Sequence, residues 1–289
     1  MGNGFNVALR TMSEPNLPEP KQDGPLVPSS ATSLSPVTPV VPPPAEEIEM
    51  SLFWRLINLF VAPSELFDHI ALAPTHTVNW FLPLILNWIA VVFFTLAAFS
   101  NSAVIQEMRD LQASSLNKQV ENGKMTAAQR DGALETIEKF SKLTPIFGSI
   151  SGVVAIALFA FITSGVIWLI ANKVFRANVE FAKAMEIYGL ASLVSVPGTF
   201  VKLALVTLRG SINVGVNPGF FFSDVPVGSP ASTALAAVDL FILWLVLLIS
   251  LGVAKVTRRS LSKSAAWFGG LWLVFALLFT GISALTYSK

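Results

Sequence analysis

Lys202 and Asp239 are the residues of this chain best placed to do chemistry, because each falls inside a long apolar stretch. An unpartnered charge at mid-bilayer costs at least about 2.5 kcal/mol on insertion scales, so such groups pair, reach water or line a pathway. Counted along their stretches as helices, the two lie at depths that differ by only about 3 Å at 1.5 Å rise per residue. That placement predicts a Lys202–Asp239 contact that fixes packing, with snorkelling to water or an ion or proton pathway as the other readings. Glu186, near the inner end of the third stretch, reads as a charge at headgroup level. Pro197 and Gly198 should kink that stretch and free backbone carbonyls, a device that can build a transporter site and is also routine in membrane bundles.

Other chemistries are excluded by composition. There is no Cys, so disulfides, thiolate metal sites and cysteine nucleophiles are ruled out; the two histidines, His69 and His76, are too few for a histidine-rich metal centre. No nucleotide loop, HExxH pair, GxSxG elbow or carboxylate cluster occurs, so no catalytic residue, metal or cofactor is assigned and the chain reads as a non-enzyme. A net charge of +1 gives no ground for nucleic-acid binding.

The elements that must position these residues are five apolar stretches, at about 78–99, 146–171, 184–208, 231–254 and 265–287. Each has the 20 or so residues needed to cross a hydrocarbon core of roughly 30 Å as a helix. Hydrophobic residues make up 53% of the chain and charged residues 13%, and the charges gather outside the stretches. The fold class expected is an all-α membrane protein, a five-span helical bundle over 78–287 with membrane lipids as its surroundings.

Residues 1–48 run through Pro, Ser, Thr and Glu, including Val41-Pro42-Pro43-Pro44, and read as a disordered cytoplasmic tail with no signal-peptide pattern. Over 51–77 two short helices are expected. In the first, Leu52, Phe53, Leu56, Ile57, Leu59 and Phe60 recur at helical spacing, as in a helix lying at the membrane interface or packed on the bundle. Pro63 then opens the second, since proline is tolerated in a first turn.

Residues 101–144 form the large polar connection. Val104, Met108, Leu111 and Val120 mark one helix, Asn122-Gly123 breaks it, and Thr126 with Gln129 reads as a capping box opening a second. An extramembrane helical hairpin between spans one and two follows. Its six cations and six acids, read as a solvated face, balance.

Short loops set orientation. Lys173, Arg176 and Lys183 in one, and Lys255, Arg258, Arg259 and Lys263 in another, should be cytoplasmic by the positive-inside rule. The N-terminus is then inside and Lys289 outside. Gly148 and Gly152 supply a small-xxx-small spacing for close helix approach, within the chain or between copies. Phe220, Phe221 and Phe222 form an apolar tip on the outer loop, suited to the outer interface or to capping a pocket.

Three segments, taken in order, resemble the Yip (Ypt-interacting protein) family of multi-span membrane proteins, and its bacterial members in particular. The first is Leu56-Ile57-Asn58-Leu59-Phe60-Val61-Ala62-Pro63-Ser64-Glu65-Leu66-Phe67, in which Pro63, Ser64 and Phe67 carry the likeness. The second runs from Phe181-Ala182-Lys183-Ala184 through Tyr188-Gly189-Leu190 to Val196-Pro197. The third is Ser229-Pro230, then Asp239-Leu240-Phe241-Ile242-Leu243-Trp244 and Leu251-Gly252, with Phe241, Trp244 and Gly252 the motif positions. The resemblance implies a helical bundle without known catalysis. Eukaryotic relatives act in vesicle trafficking and associate with Rab-type GTPases and with one another. The polar hairpin is more like bacterial members, which implies an inner-membrane protein that organises membrane or scaffolds a protein partner or a second copy of itself. A small-solute or ion permease is the alternative.

Overall fold

Pro63 is the point at which the N-terminal segment turns. In the computed structural model, which describes residues 50–222 and 225–287, helix α1 (Leu52–Val61) opens on Ser51, whose hydroxyl accepts from Trp54 N at 3.4 Å. It ends at Ala62, and α2 (Pro63–Leu72) starts with the proline in its first turn, where no amide hydrogen is needed. The tail assigned to residues 1–48 lies outside the described residues.

Leu59 of α1 and Leu66, Phe67 and Ile70 of α2 are completely buried, while Phe53, Trp54, Val61 and Leu72 are exposed. The apolar stripe that allowed either an interfacial or a bundle-packed helix therefore has two faces. One is driven into the bundle by burial of four large apolar side chains; the other presents aromatic and aliphatic groups outward.

The first apolar stretch is α3 (Val78–Ala98), which contains Pro83. Two polar helices follow, α4 (Ser102–Glu121) and α5 (Ala127–Phe140), joined across their turn by Arg130 Nη1 donating to Asn117 Oδ1 at 3.2 Å. The capping box at Thr126 and Gln129 is formed in both directions, at 2.9 and 3.2 Å. Helix α6 (Thr144–Leu169) carries the second stretch and runs into one π-helical turn over Ile170–Val174. Gly148 and Gly152 face α3, where an added Cβ would stand 3.2 Å from Thr95 Cγ2 and 3.0 Å from Val91 Cγ2 respectively. Their spacing serves close packing inside the chain.

The third and fourth stretches differ from expectation. The third divides into α7 (Phe181–Ser192) and α8 (Ser195–Arg209), and Pro197 sits in the first turn of α8. It lies where a proline has no intrahelical bond to break, so the expected mid-helix kink is a change of helix at Leu193–Val194, just upstream. The fourth divides into α9 (Pro230–Ala237) and α10 (Leu240–Thr257), with Asp239 as the N-cap of α10. Helix α11 (Leu261–Tyr287) completes the bundle. Five segments are long and apolar enough to cross a membrane, with α7 and α8 together making one of them.

Helix α7 is the axis of the core. Every residue from Ala184 to Ser192 is buried, against α3, α6 and α10. Asn87 of α3 closes the gap after α7: its Nδ2 donates to Pro83 O at 2.9 Å and to Ser192 O at 3.3 Å, satisfying a carbonyl at the helix end. By contrast α11 packs mainly on α9 and α10, and only Ser264 and Phe268 of its residues are buried. The connections sort into two ends. Lys255 Nζ pairs with Asp68 of α2 at 2.6 Å, and Arg259 Nη2 donates to Phe175 O at 2.8 Å, so the N-terminal helices and both basic loops share one end. At the other, Glu107 of α4 accepts from Ser211 Oγ and Ile212 N at 2.5 and 2.8 Å.

Candidate functional site

Glu186 is the most deeply placed ionisable group of the third stretch. It lies one turn into α7, its exposure is 0%, and four elements converge on it. Lys183, three residues earlier on the same helical face, puts Nζ 2.6 Å from Glu186 Oε2. Asn79 Nδ2, in the first turn of α3, makes a short hydrogen bond to Oε1, and His76 N approaches the same oxygen at 3.4 Å. Arg55 of α1 completes the set: its Nη1 donates to Asn79 Oδ1 at 3.0 Å and its Nε to Met50 O at 2.7 Å. Lys183 Nζ also donates to Ile70 O and Ala73 O, both at 3.0 Å, which satisfies carbonyls at the end of α2.

A buried arginine, a buried carboxylate and a largely enclosed lysine thus meet around a shared amide. The hydrogen-bonding capacity of Glu186 and Lys183 is taken up, since each carboxylate oxygen has a donor and the ammonium uses three acceptors. Glu186, expected as a charge at headgroup level, is enclosed by protein. Tertiary packing brings α1, the α2–α3 connection and α3 over it, and a buried carboxylate persists only with such partners.

Close packing around the cluster is enforced by glycine. An added Cβ at Gly189, one turn along α7 from Glu186, would fall on the Cα of Trp80 and stand 2.6 Å from its Cβ. Only a residue without a side chain lets α7 approach α3 so that Asn79 reaches the carboxylate. Gly252 plays the same part between α10 and α2, where a Cβ would meet Ile187 Cγ2 at 2.7 Å and Phe67 Cε1 at 2.9 Å. The cavity beside α7, lined by Trp80, Leu84, Ala160, Met185, Tyr188 and Gly189 among others, is only about 10 Å³, roughly the minimum for a single water.

Lys202 and Asp239 are not brought together, and the ion pair expected between them is absent among the described residues. Lys202 Nζ lies 5.7 Å from the centre of the Phe94 ring. Asp239 accepts from Phe241 N at 2.9 Å, Ile242 N at 3.3 Å and Val216 N at 3.2 Å. The break between α9 and α10 supplies the reason: the amides of Phe241 and Ile242 are orphan donors of the α10 start, Val216 N comes from the loop after α8, and the carboxylate satisfies all three in place of a cation. The fourth apolar run hides this break because α9 has no charge to mark it. Gly198 is also a contact point, since an added Cβ there would stand 2.7 Å from the Phe241 ring.

Of the motif positions, Phe67 is fully buried, Phe241 and Trp244 stack with ring centroids 6.5 Å apart, and Gly252 holds Phe67 against α10. Pro63 and Ser64 begin α2. The motif residues therefore fasten the N-terminal helices to the bundle. Sequence reasoning missed Arg55 and Asn79 as partners of Glu186 and placed Lys183 with the loop cations. The signal available was the Lys183–Glu186 spacing of three on one helical face, together with a polar Asn opening an apolar stretch.

Five membrane-length apolar segments, sharp separation of charge from the apolar stretches, and an all-helical described chain define a multi-pass helical membrane protein. The Yip1 domain family model matches residues 57–282, and the chain belongs to that family. No curated protein and no solved structure matches the chain.

Proposed function

We propose that the chain acts without catalysis, as a scaffold that organises membrane or holds a protein partner or a second copy of itself, in the manner implied for the Yip family. The observation that carries this reading is the saturation of Glu186. The most buried charge of the bundle has its oxygens committed to Asn79, Lys183 and His76, and the cavity farther along α7, lined by Tyr188 and Gly189 among others, is about 10 Å³. A charge engaged in that way joins helices; a transport site needs coordination that a solute or ion can replace.

The basic end, with the N-terminal helices, is taken as cytoplasmic and the cytoplasmic (inner) membrane as the location, by the positive-inside rule. The hairpin of α4 and α5 then lies outside the membrane on the far side, and the exposed faces of Phe53, Trp54 and Leu72 meet the headgroup plane. A reporter fused after Lys289 is expected to read outside, and a cytoplasmic signal would refute the orientation. Proteoliposomes carrying the full chain are expected to show no ion or solute flux above empty liposomes. Flux that disappears with Glu186→Gln or Asp239→Asn would replace the scaffold by a permease.

A further inference from the structure

We infer that the basic end carries a specific binding site for the phosphate headgroup of an anionic phospholipid, in the groove formed by Trp168, Asn172, Lys173, Arg176, Asn178 and Val179. The groove encloses about 400 Å³ where α6 passes through its π-helical turn into the loop before α7.

The loop is built to hold its shape. Asn172 donates from Nδ2 to Trp168 O at 3.0 Å and to Val179 O at 2.8 Å, and its Oδ1 accepts from Val179 N at 2.6 Å. Those three bonds close the segment from 172 to 179 into a ring. Arg259 adds a fourth tie through Phe175 O and brings the start of α11 beside it. The backbone is forced at three places: Arg176, Asn178 and Arg258, with φ of 54°, 50° and 53°, are the positive-φ residues other than glycine among the described residues, and all three lie in these two adjoining loops. Left-handed backbone at residues bearing a Cβ persists where the surroundings over-determine it, and it is concentrated at sites that present side chains to a ligand.

The presented charge has no counterion. The side chains of Lys173, Arg176, Arg258 and Lys263 are exposed and make no ion pair or hydrogen bond among the described residues, whereas Lys183 and Lys255 at the same end are paired. The nearby acids are Glu180, exposed and one residue beyond Val179, and Asp68, which is already engaged with Lys255. An excess of fixed cations beside a shaped groove fits a phosphate group.

What distinguishes a lipid from a soluble phosphate is the surface running away from the groove. Leu158, Ile162 and Leu169 of α6 are 58, 64 and 48% exposed at spacings of four and seven, in line with Lys173 four residues on. Between them Gly165 leaves open space, with no atom within 4 Å of an added Cβ. An acyl chain laid along this shallow apolar track brings its headgroup to Lys173 and Arg176, with Trp168 at the level where indole rings favour the interface.

The test uses the full-length protein in detergent, with bound lipid counted by native mass spectrometry as lipid is titrated. Phosphatidylglycerol is expected to bind at low stoichiometry and to outcompete phosphatidylcholine. Replacement of both Lys173→Gln and Arg176→Gln should weaken phosphatidylglycerol binding about thirtyfold, from about 1 kcal/mol for each cation near an anionic headgroup. Both side chains are exposed and unpartnered, so the fold is retained, which the melting temperature checks; Lys139→Gln on α5 is the control and should change nothing. Equal affinity for phosphatidylcholine, or undiminished phosphatidylglycerol binding by the double variant, would overturn the site. Equally tight binding of sn-glycerol 3-phosphate would overturn the lipid assignment in favour of a soluble phosphate.

Discussion

Replacing Glu186 by glutamine changes one atom and removes one charge, so it isolates what the buried cluster contributes. In the protein Glu186 Oε2 is 2.6 Å from Lys183 Nζ and Oε1 accepts from Asn79 and His76. Glutamine can keep one acceptor. Its amide nitrogen must then face either the ammonium of Lys183 or the donor Nδ2 of Asn79, and donor opposes donor in both cases. Loss of one partner from a buried ion pair costs about 3–5 kcal/mol. Lys183 has a side-chain exposure of 12% and keeps the carbonyls of Ile70 and Ala73, which reduces the cost to the bottom of that range or just under it, about 2–3 kcal/mol. For a helical unit of this size that corresponds to a fall in melting temperature of roughly 5–10 °C. The measurement is equilibrium unfolding of the purified protein in mixed micelles, alongside Lys183→Gln and the double variant. Because the two groups share one interaction, the double variant should be at least about 1 kcal/mol more stable than the sum of the single losses predicts. A Glu186→Gln protein within about 0.5 kcal/mol of the native one, or strictly additive losses, would refute the view that this cluster holds α1, α3 and α7 together.

Gly189→Ala should be more damaging than its size suggests, since the added carbon meets the backbone of Trp80; a loss of about 1–3 kcal/mol on the same unfolding curve is expected, from overpacking, and a neutral result would deny the close approach of α7 to α3. Asp239→Ala removes a helix cap and its tie to Val216, and should cost about 1–2 kcal/mol, whereas Lys202→Met should stay within about 0.5 kcal/mol. The two changes should be additive, and rescue of either by exchange of the charges would restore the pair that the fold keeps apart.

The sequence alone determined that the chain is helical, that it carries five membrane-length segments, which residues initiate the second polar helix and which family it belongs to. Each of these follows from local properties: run length, charge segregation, the Thr126–Gln129 cap and an ordered set of motifs need no knowledge of which helix lies beside which. The tertiary structure decided the rest. Counting residues along an apolar stretch assigns depth only if the stretch is one helix, and the breaks at Leu193–Val194 and Val238–Asp239 remove that condition for Lys202 and Asp239. Glu186 was legible as an acid near a helix end, but its burial depends on Arg55 and Asn79, which stand 131 and 107 residues away in the chain. Such distant partners are selected by packing, through glycines that admit α3 and α2 against α7 and α10, and no periodicity within a segment records that choice.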